Sequence, residues 1–538
     1  MYQNNKIFGE NDMKISYNRV RSAAVIYVAV PIFIFFFGWL SALWGAIFSA
    51  LLAAACFFFW KSSRKRDGEK TYAVVPRKTL IIIGAIALAW CFLAGHGGFI
   101  HQSSDNMIRN AIFRDMIKMP WPVVYSDGSM LSYYIAHWMP PALVGKIFYT
   151  VSGSVSAGYA AGNVFLLIWS SIGVFLSLLL VVILTFSRKR PHILLTVFLF
   201  IFFSGLDLIG NAVTWNTFDN HLEWWAYYII QYSSFTTCLF WVYNQTIAIW
   251  LVTLCIINER SVKNFAFLGL LALPFGPLPF IGIVLMCVIK AAVISVGMIR
   301  GGRLAEAVKN VLSFQNILAC VSVLPVYYLY YFSNAIASND AYYETGKANV
   351  GFRVNEIWLE PFAEGNVSGI ISKLLLYIFF ILVEVGFYAA IILIYGKIKK
   401  KKAAPEFIGT IIMLLLLPLF RLGMDGDFTM RVSIPPIIYL AVEFIRAFTD
   451  SVPSKGEIKS LDEFIRKKTL LFVSSFIFIL GAVTPLVEFY REISRTVLKV
   501  ETVYDLEETE SMDEIEIKNN FIARNYTESD FYKYICKK

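Results

Sequence analysis

VRSAAVIYVAVPIFIFFFGWLSALWGAIFSALLAAACFFFW, residues 20–60, holds a single charged side chain, Arg21. The run is twice the ~20 residues that a helix needs to cross a bilayer. It breaks near GWLSALWG and ends at KSSRKRDGEK, residues 61–70. Two apolar helices that leave and return to a cationic segment are the expectation. Lys6, Lys14, Arg19 and Arg21 sit at its start, and no small-residue cleavage site separates the two helices. The segment therefore reads as a retained hairpin and not as a removable signal.

Composition extends this reading to the whole chain. Of 538 residues, 57% are hydrophobic and 16% charged, and mean hydropathy is +0.61, well above an ordinary soluble domain. The expected class is all-α integral membrane, a polytopic helical bundle with extracytoplasmic amphipathic helices and loops. The formal charge of +10 lies in short clusters between apolar runs, so it reads as a topology signal, with no nucleic acid as partner. The seven cysteines fall mostly in apolar segments, without CxxC or Cys/His metal spacing.

Alternation under the positive-inside rule gives about 13 spanning helices. The N-terminus is cytoplasmic, in a multi-pass protein of a cell membrane, the bacterial plasma membrane. After 20–60, a helix over about 79–97 goes out. Residues 98–159 form the first large outer loop, and about 160–186 returns to SRKR. Later spans fall near 192–209, 238–257, 317–332, 370–395, 407–420, 432–448 and 469–489. LPFGPLPF, residues 273–280, splits the run 264–300 into two shorter helices, because proline is poorly tolerated inside a helix. Residues 1–489 form the transmembrane domain, and 490–538 a polar extracytoplasmic tail, either a small cap or a disordered end.

The acidic and aromatic residues outside the basic clusters gather on the extracytoplasmic side, so the working face is the outer one. The cytoplasmic loops carry no GxxxxGK[ST] and no GxGxxG between strand and helix, which disfavours a nucleotide-driven reaction inside. Charges within spans are sparse. Glu384 in ILVEVGF is the clearest, with Lys290 and Glu443 nearer the inner ends.

QSSDNMIRNAIFRDMIKMPWPVVY, residues 102–125, follows the third helix. Met107, Ile108, Ala111, Ile112, Met116 and Ile117 recur at helical spacing, while Asp105, Arg109, Arg114 and Lys118 point elsewhere. An interfacial amphipathic helix is expected, capped by Ser103 or Ser104 and ended by PWPVVY. Asp105 near its N-terminus faces the helix dipole. A carboxylate fixed there can take a proton from an acceptor hydroxyl. The alternative is that these charges only solvate the helix.

A third segment running outward, a first outer loop with an acid and an amphipathic helix, and many later spans together resemble the GT-C superfamily of membrane glycosyltransferases. SSDNMIRNAIFRDMIKMPWPVVY with LSYYIAHWMPPALVGK, FWVYNQTIAIWL and PLFRLGMDGDFTMRVSIP also resemble a group of bacterial polytopic membrane proteins of unsettled function. The GT-C resemblance implies a polyprenyl-phosphate-linked sugar as donor, membrane lipid or an envelope glycan as acceptor, and a first-loop acid as base or metal ligand. It assigns Asp105, and next Asp115, the catalytic role. Some branches of the superfamily carry a paired DD or DxD in this loop, and this chain does not. That argues for Asp105 as sole base or as substrate ligand, and leaves a divalent metal cofactor open, with no metal ligand assigned.

Further substrate-binding candidates lie in other outer segments. RLGMDGDFTMR, residues 421–431, packs Arg421, Asp427 and Arg431 around a turn. Two guanidiniums suit a phosphate bidentately, or they pair with the aspartates and staple the turn. Arg353 adds a cation from another outer loop, Arg109 one from the amphipathic helix. In TFDNHLEWWAYYIIQYSS, residues 217–234, Asp219 and His221 stand beside aromatic residues that can stack on a sugar or anchor the interface. Asn244 and Gln245 lie inside a span and need partners. Three functions remain: a GT-C-like glycosyltransferase, a glycan polymerase or lipid-linked oligosaccharide transporter, and a non-catalytic scaffold. Convergence of Asp105, Arg421 and Arg431 on one outer cavity is the feature that separates them.

Overall fold

The computed structural model describes residues 12–64, 72–185, 190–214, 221–226, 230–335, 350–352, 365, 367–422, 426–452, 461–499, 511–515 and 519–538. Two short strands set the frame. β1 (Asp12–Ser16) pairs antiparallel with β2 (Tyr72–Pro76), Asp12 opposite Pro76 and Ser16 opposite Tyr72. β1 runs directly into α1 (Tyr17–Trp39) and β2 into α3 (Arg77–Leu93), so both helices start at the same face of the bundle. α2 (Ala42–Arg64) runs back along α1. The α1–α2 turn is tight, and a Cβ on Gly45 would fall 2.7 Å from the Phe36 carbonyl oxygen.

The remaining helices are α4 (Asp105–Lys118), α5 (Met139–Ser152), α6 (Val155–Leu184), α7 (Arg190–Ile201), α8 (Asp207–Thr214), α9 (Phe235–Trp241) and α10 (Tyr243–Ile257). Then come α11 (Phe265–Ala272), α12 (Pro277–Arg300), α13 (Leu304–Val311), α14 (Phe314–Ser322) and α15 (Leu324–Phe332). α16 (Val367–Ile381) passes through a π-turn, Leu382–Gly386, into α17 (Phe387–Ile398). α18 (Pro405–Leu416), α19 (Asp427–Val432), α20 (Ile434–Ser451) and α21 (Leu461–Val497) complete the set.

This is a helical membrane protein. Among the described residues seven helices are long and apolar enough to cross a bilayer, and four shorter apolar helices accompany them. Several of the runs expected as spans are broken into shorter helices. α3 stops at Leu93 because Gly95, Gly97 and Gly98 turn the chain with φ of +77°, +86° and +70°, a region glycine enters without a Cβ clash. The expected 192–209 helix ends at Ile201 and restarts at Asp207, and the expected 238–257 helix breaks at Val242. The 317–332 run divides at Val323, before Pro325. The break at LPFGPLPF falls where expected, with α12 restarting at Pro277.

One end of the bundle gathers the C-terminal segment with the end of α1 and the loop before α5. The described tail, 511–515 and 519–538, is a folded cap. Its β6 (Ile522–Ala523) pairs with β3 (Met130–Leu131), the Ile535 carbonyl accepts from Ser41 N at 2.9 Å, and Lys537 N donates to Trp39 O at 2.8 Å. The end of α1, the loop between α3 and α5, and the C-terminus therefore share a face. α21 runs eight residues further than expected, to Val497, so the tail begins beyond it.

Candidate functional site

α4 is seated before anything else is built on it. Ile117 enters a slot made by glycines: a Cβ on Gly145 of α5 would lie 2.7 Å from Ile117 Cδ1 and 2.8 Å from the Gly158 carbonyl, and one on Gly162 of α6 2.7 Å from Ile117 Cδ1. Small residues let helices approach this closely. Lys146 Nζ donates to the Ile117 carbonyl at 3.2 Å and to that of Met119, and Trp121 Nε1 donates to Met116 O at 2.7 Å. The last carbonyls of α4 are thereby satisfied at an end that favours a cation.

The charged residues of α4 divide: Asp105 and Lys118 are exposed, as an interfacial helix with solvated charges requires, Arg114 is half-buried, and Arg109 is buried. Arg109 is 4% exposed, Asn106 1% and Asp115 1%, while the apolar Met107 is exposed at 49%. Ser104 caps nothing with its side chain; instead Asn106 Nδ2 donates to Ser103 Oγ at 3.0 Å. Asp105 does occupy the first turn, as its position predicts.

Four of the expected residues meet. Arg109 Nη2 donates to Asp105 Oδ2 at 3.1 Å, and its Nη1 to the Trp241 carbonyl. Arg431 of α19 pairs with Asp427 at 3.2 Å and donates from Nη1 to Tyr134 Oη at 3.4 Å. Arg109 lies within the field of Arg431, and Tyr133, Tyr134 and Asp105 lie within the field of both. The Tyr133 and Tyr134 rings are 3.6 Å apart by centroids. Burial pulls both arginines down, but the neighbouring carboxylates and phenols outweigh it and raise them, so both remain cationic. Arg431 Nε is buried and has no hydrogen-bond partner among the described residues. The Asp105 carboxylate is 47% exposed beside two guanidiniums held in the protein. The site thus presents an accessible carboxylate in the field of two buried guanidiniums.

Asp115 is placed elsewhere. It lies ten residues along α4, ~15 Å of helix rise from Asp105, and accepts from Ser511 Oγ at 2.6 Å and Met512 N at 2.9 Å. Burial pushes its carboxyl up to about 6, against those two hydrogen bonds. Its surroundings make it an anchor for the cap. Arg421 sits on β5 (Phe420–Leu422), opposite Gly351 of β4 (Val350–Phe352). Asp219 and Arg353 lie outside the described residues.

His221 is 3% exposed and pairs through Nδ1 with Glu488 of α21 at 2.8 Å, its ring 4.4 Å from Trp224 and 5.1 Å from Trp241 by centroids. Nearby Glu223 takes Ser234 N and Gln231 Nε2, each at 2.8 Å. Burial, with Asp207's charge adding to it, pushes that carboxyl up to about 7. Glu384, the span charge that stands out in the sequence, is buried on the π-turn. Trp225 Nε1 donates to it at 3.4 Å and to Asp207 at 3.2 Å. A Cβ on Gly205 would fall 1.6 Å from its Oε2, so a larger residue there would require the Glu384 carboxylate to move. Asn244 is fully buried and its amide has no hydrogen-bond partner among the described residues.

Sequence reasoning missed Tyr133, Tyr134, Trp241, Glu488 and Arg491. VEFYREISR, residues 487–495, carried a usable signal: Glu488, Arg491 and Glu492 at i, i+3 and i+4 at the end of an apolar run mark one face of a continuing helix. Among the described residues no group of three or more His, Cys, Asp or Glu is arranged to hold a metal ion. Set against protein families, curated proteins and solved structures, the chain matches none.

Proposed function

We propose that this chain is a glycosyltransferase of the cell membrane that moves a sugar from a polyprenyl-phosphate-linked donor to an envelope glycan or lipid, at the outer face, with its N-terminus cytoplasmic. The observation that carries the reading is the meeting of a half-exposed carboxylate, Asp105, with two buried guanidiniums from separate parts of the chain, Arg109 and Arg431. A phosphate ester supplies the acceptor oxygens that Arg431 Nε lacks. In the reaction, an acceptor hydroxyl forms a bond to the anomeric carbon as the bond from that carbon to the phosphate oxygen breaks. Asp105 takes the hydroxyl proton, and the arginines hold the charge that develops on the leaving phosphate. The α4 helix N-terminus and Arg109 keep Asp105 in place for this role.

A second reading, an envelope glycan polymerase or lipid-linked oligosaccharide transporter, draws on a different observation. Asp207, Glu223 and Glu384 are buried together within the bundle, and intramembrane carboxyls often serve ion-coupled movement. The separating experiment is transfer of labelled sugar from a polyprenyl-phosphate donor set, with purified wild type and Asp105→Asn. Transfer by wild type with a loss of about a hundredfold in the variant supports the transferase. No transfer from any donor moves the polymerase, transporter and scaffold readings ahead.

A further inference from the structure

α9 ends at Trp241, and α10 restarts at Tyr243 after Val242 takes φ −138° and ψ 37°. Such a break leaves carbonyls of the last turn without helical partners. Here each one is answered. The Cys238 carbonyl takes Val242 N at 3.0 Å and Thr246 Oγ1 at 3.1 Å, and that of Leu239 takes His96 Nε2 at 3.1 Å. The carbonyls of Phe240 and Trp241 take Asn106 Nδ2, at 3.5 Å, and Arg109 Nη1, both from α4. Arg109 thus stands at a helix C-terminus, where a cation is favoured.

The other end of Trp241 is held from α21. Its indole Nε1 donates to Glu488 Oε2 at 2.9 Å, and the Arg491 guanidinium lies 5.0 Å from its ring centroid. Glu488 also accepts from His221 Nδ1 at 2.8 Å and from Arg491 Nη1 at 3.0 Å and Nη2. That makes four donors on one carboxylate, its full capacity. Arg491 in turn donates from Nε to Glu492 at 3.2 Å, and Glu492 pairs with His101 Nδ1. Glu488, Arg491 and Glu492 are each 3% exposed or less. A charged group so thoroughly bonded has one available geometry.

We propose that Glu488 and Arg491 are positioning residues for Arg109: they clamp the Trp241 indole, and the clamped Trp241 presents its backbone carbonyl as the seat of the Arg109 guanidinium beside Asp105. The geometry of the site is then set by the far end of the chain, through one tryptophan bonded at both its indole and its carbonyl. The kinetic consequence rests on the transferase reading; the structural one does not.

The test uses full-length protein and two variants that break the clamp differently. Glu488→Gln keeps the shape and removes the charge. Trp241→Phe keeps the ring and the backbone carbonyl and removes the indole N–H. Hydrogen exchange of the segment 103–112 is read by mass spectrometry, alongside donor KM and kcat. Both variants are expected to speed exchange in 103–112 by about tenfold while α1 and α3 keep wild-type protection, and to lower kcat about tenfold with donor KM within about threefold. Combined with Arg109→Lys, Glu488→Gln is expected to add less than about twofold, because both act on one seat. Unchanged exchange in 103–112, or effects that multiply, overturns the proposal. If wild type transfers no sugar, the transferase reading fails, and exchange alone decides the positioning role.

Discussion

The Asp115 carboxylate accepts a hydrogen bond at 2.9 Å from the backbone N–H of Met512, 397 positions away along the chain. With Ser511 Oγ on its other oxygen, it fastens the C-terminal cap to α4. A raised folded-state pKa of about 6, against an ordinary value of 3.8, means that the folded protein binds this proton more tightly than the unfolded chain does. The stability it contributes is full below about pH 4 and is lost as pH rises through about 6. Thermal unfolding in detergent at several pH values should therefore show wild type losing ground against Asp115→Asn as pH rises across that window. Parallel profiles for the two proteins would remove Asp115 as the titrating group.

Arg431→Lys keeps the charge and gives up the fork. The lysine cannot offer both the Asp427 pair and the unsatisfied Nε–H to a phosphate. Donor KM should rise by about tenfold, equivalent to ~1.4 kcal/mol, with thermal stability close to wild type. Unaltered KM would show that the phosphate is held elsewhere.

Two glycines behind α4 should respond unequally to alanine. At Gly145 the added Cβ meets a backbone oxygen, that of Gly158, at 2.8 Å, as well as Ile117 Cδ1 at 2.7 Å. At Gly162 the nearest atoms are side-chain ends, Ile117 Cδ1 and Phe113 Cζ. Overpacking costs ~1–3 kcal/mol, so Gly145→Ala should be the more damaging by unfolding midpoint. Adding Ile117→Val should recover stability in Gly162→Ala and little in Gly145→Ala. The reverse order would mean that α5 and α6 move apart more easily than Ile117 does.

Arg21 is 1% exposed, pairs with Glu259 and stacks its guanidinium 4.7 Å from the Phe59 ring centroid. Arg21→Met leaves a buried carboxylate without its cation and should cost ~3–5 kcal/mol. The double variant Arg21→Met, Glu259→Gln should recover much of that loss in the same unfolding assay. Equal damage from single and double variants would show that the arginine acts through packing alone.

Much of the architecture was legible in the residues. Apolar run length and clustered lysines and arginines determine a helical membrane protein, because the bilayer permits few other ways to satisfy a backbone. The break at LPFGPLPF follows from proline chemistry, and the place of Asp105 in a first turn from helix periodicity. Where a run breaks was not legible: a broken helix such as α9 and α10 has the same composition as a continuous one. The burial of Arg109 and Asp115 was equally invisible, because an amphipathic face reads alike whether water or protein covers it.

By itself, then, the sequence determined the solvent this chain lives in, its helical class and the candidacy of Asp105, Arg109, Asp427 and Arg431, all of which depend on neighbours within a few turns. Tertiary structure alone decided that these four meet, that the C-terminal segment closes over α4, and that Trp241 carries a hydrogen bond from α4 at one end and to α21 at the other. Those outcomes belong to contacts between positions hundreds of residues apart. Such contacts are selected by whether each buried polar group finds a partner, and no local pattern encodes that choice.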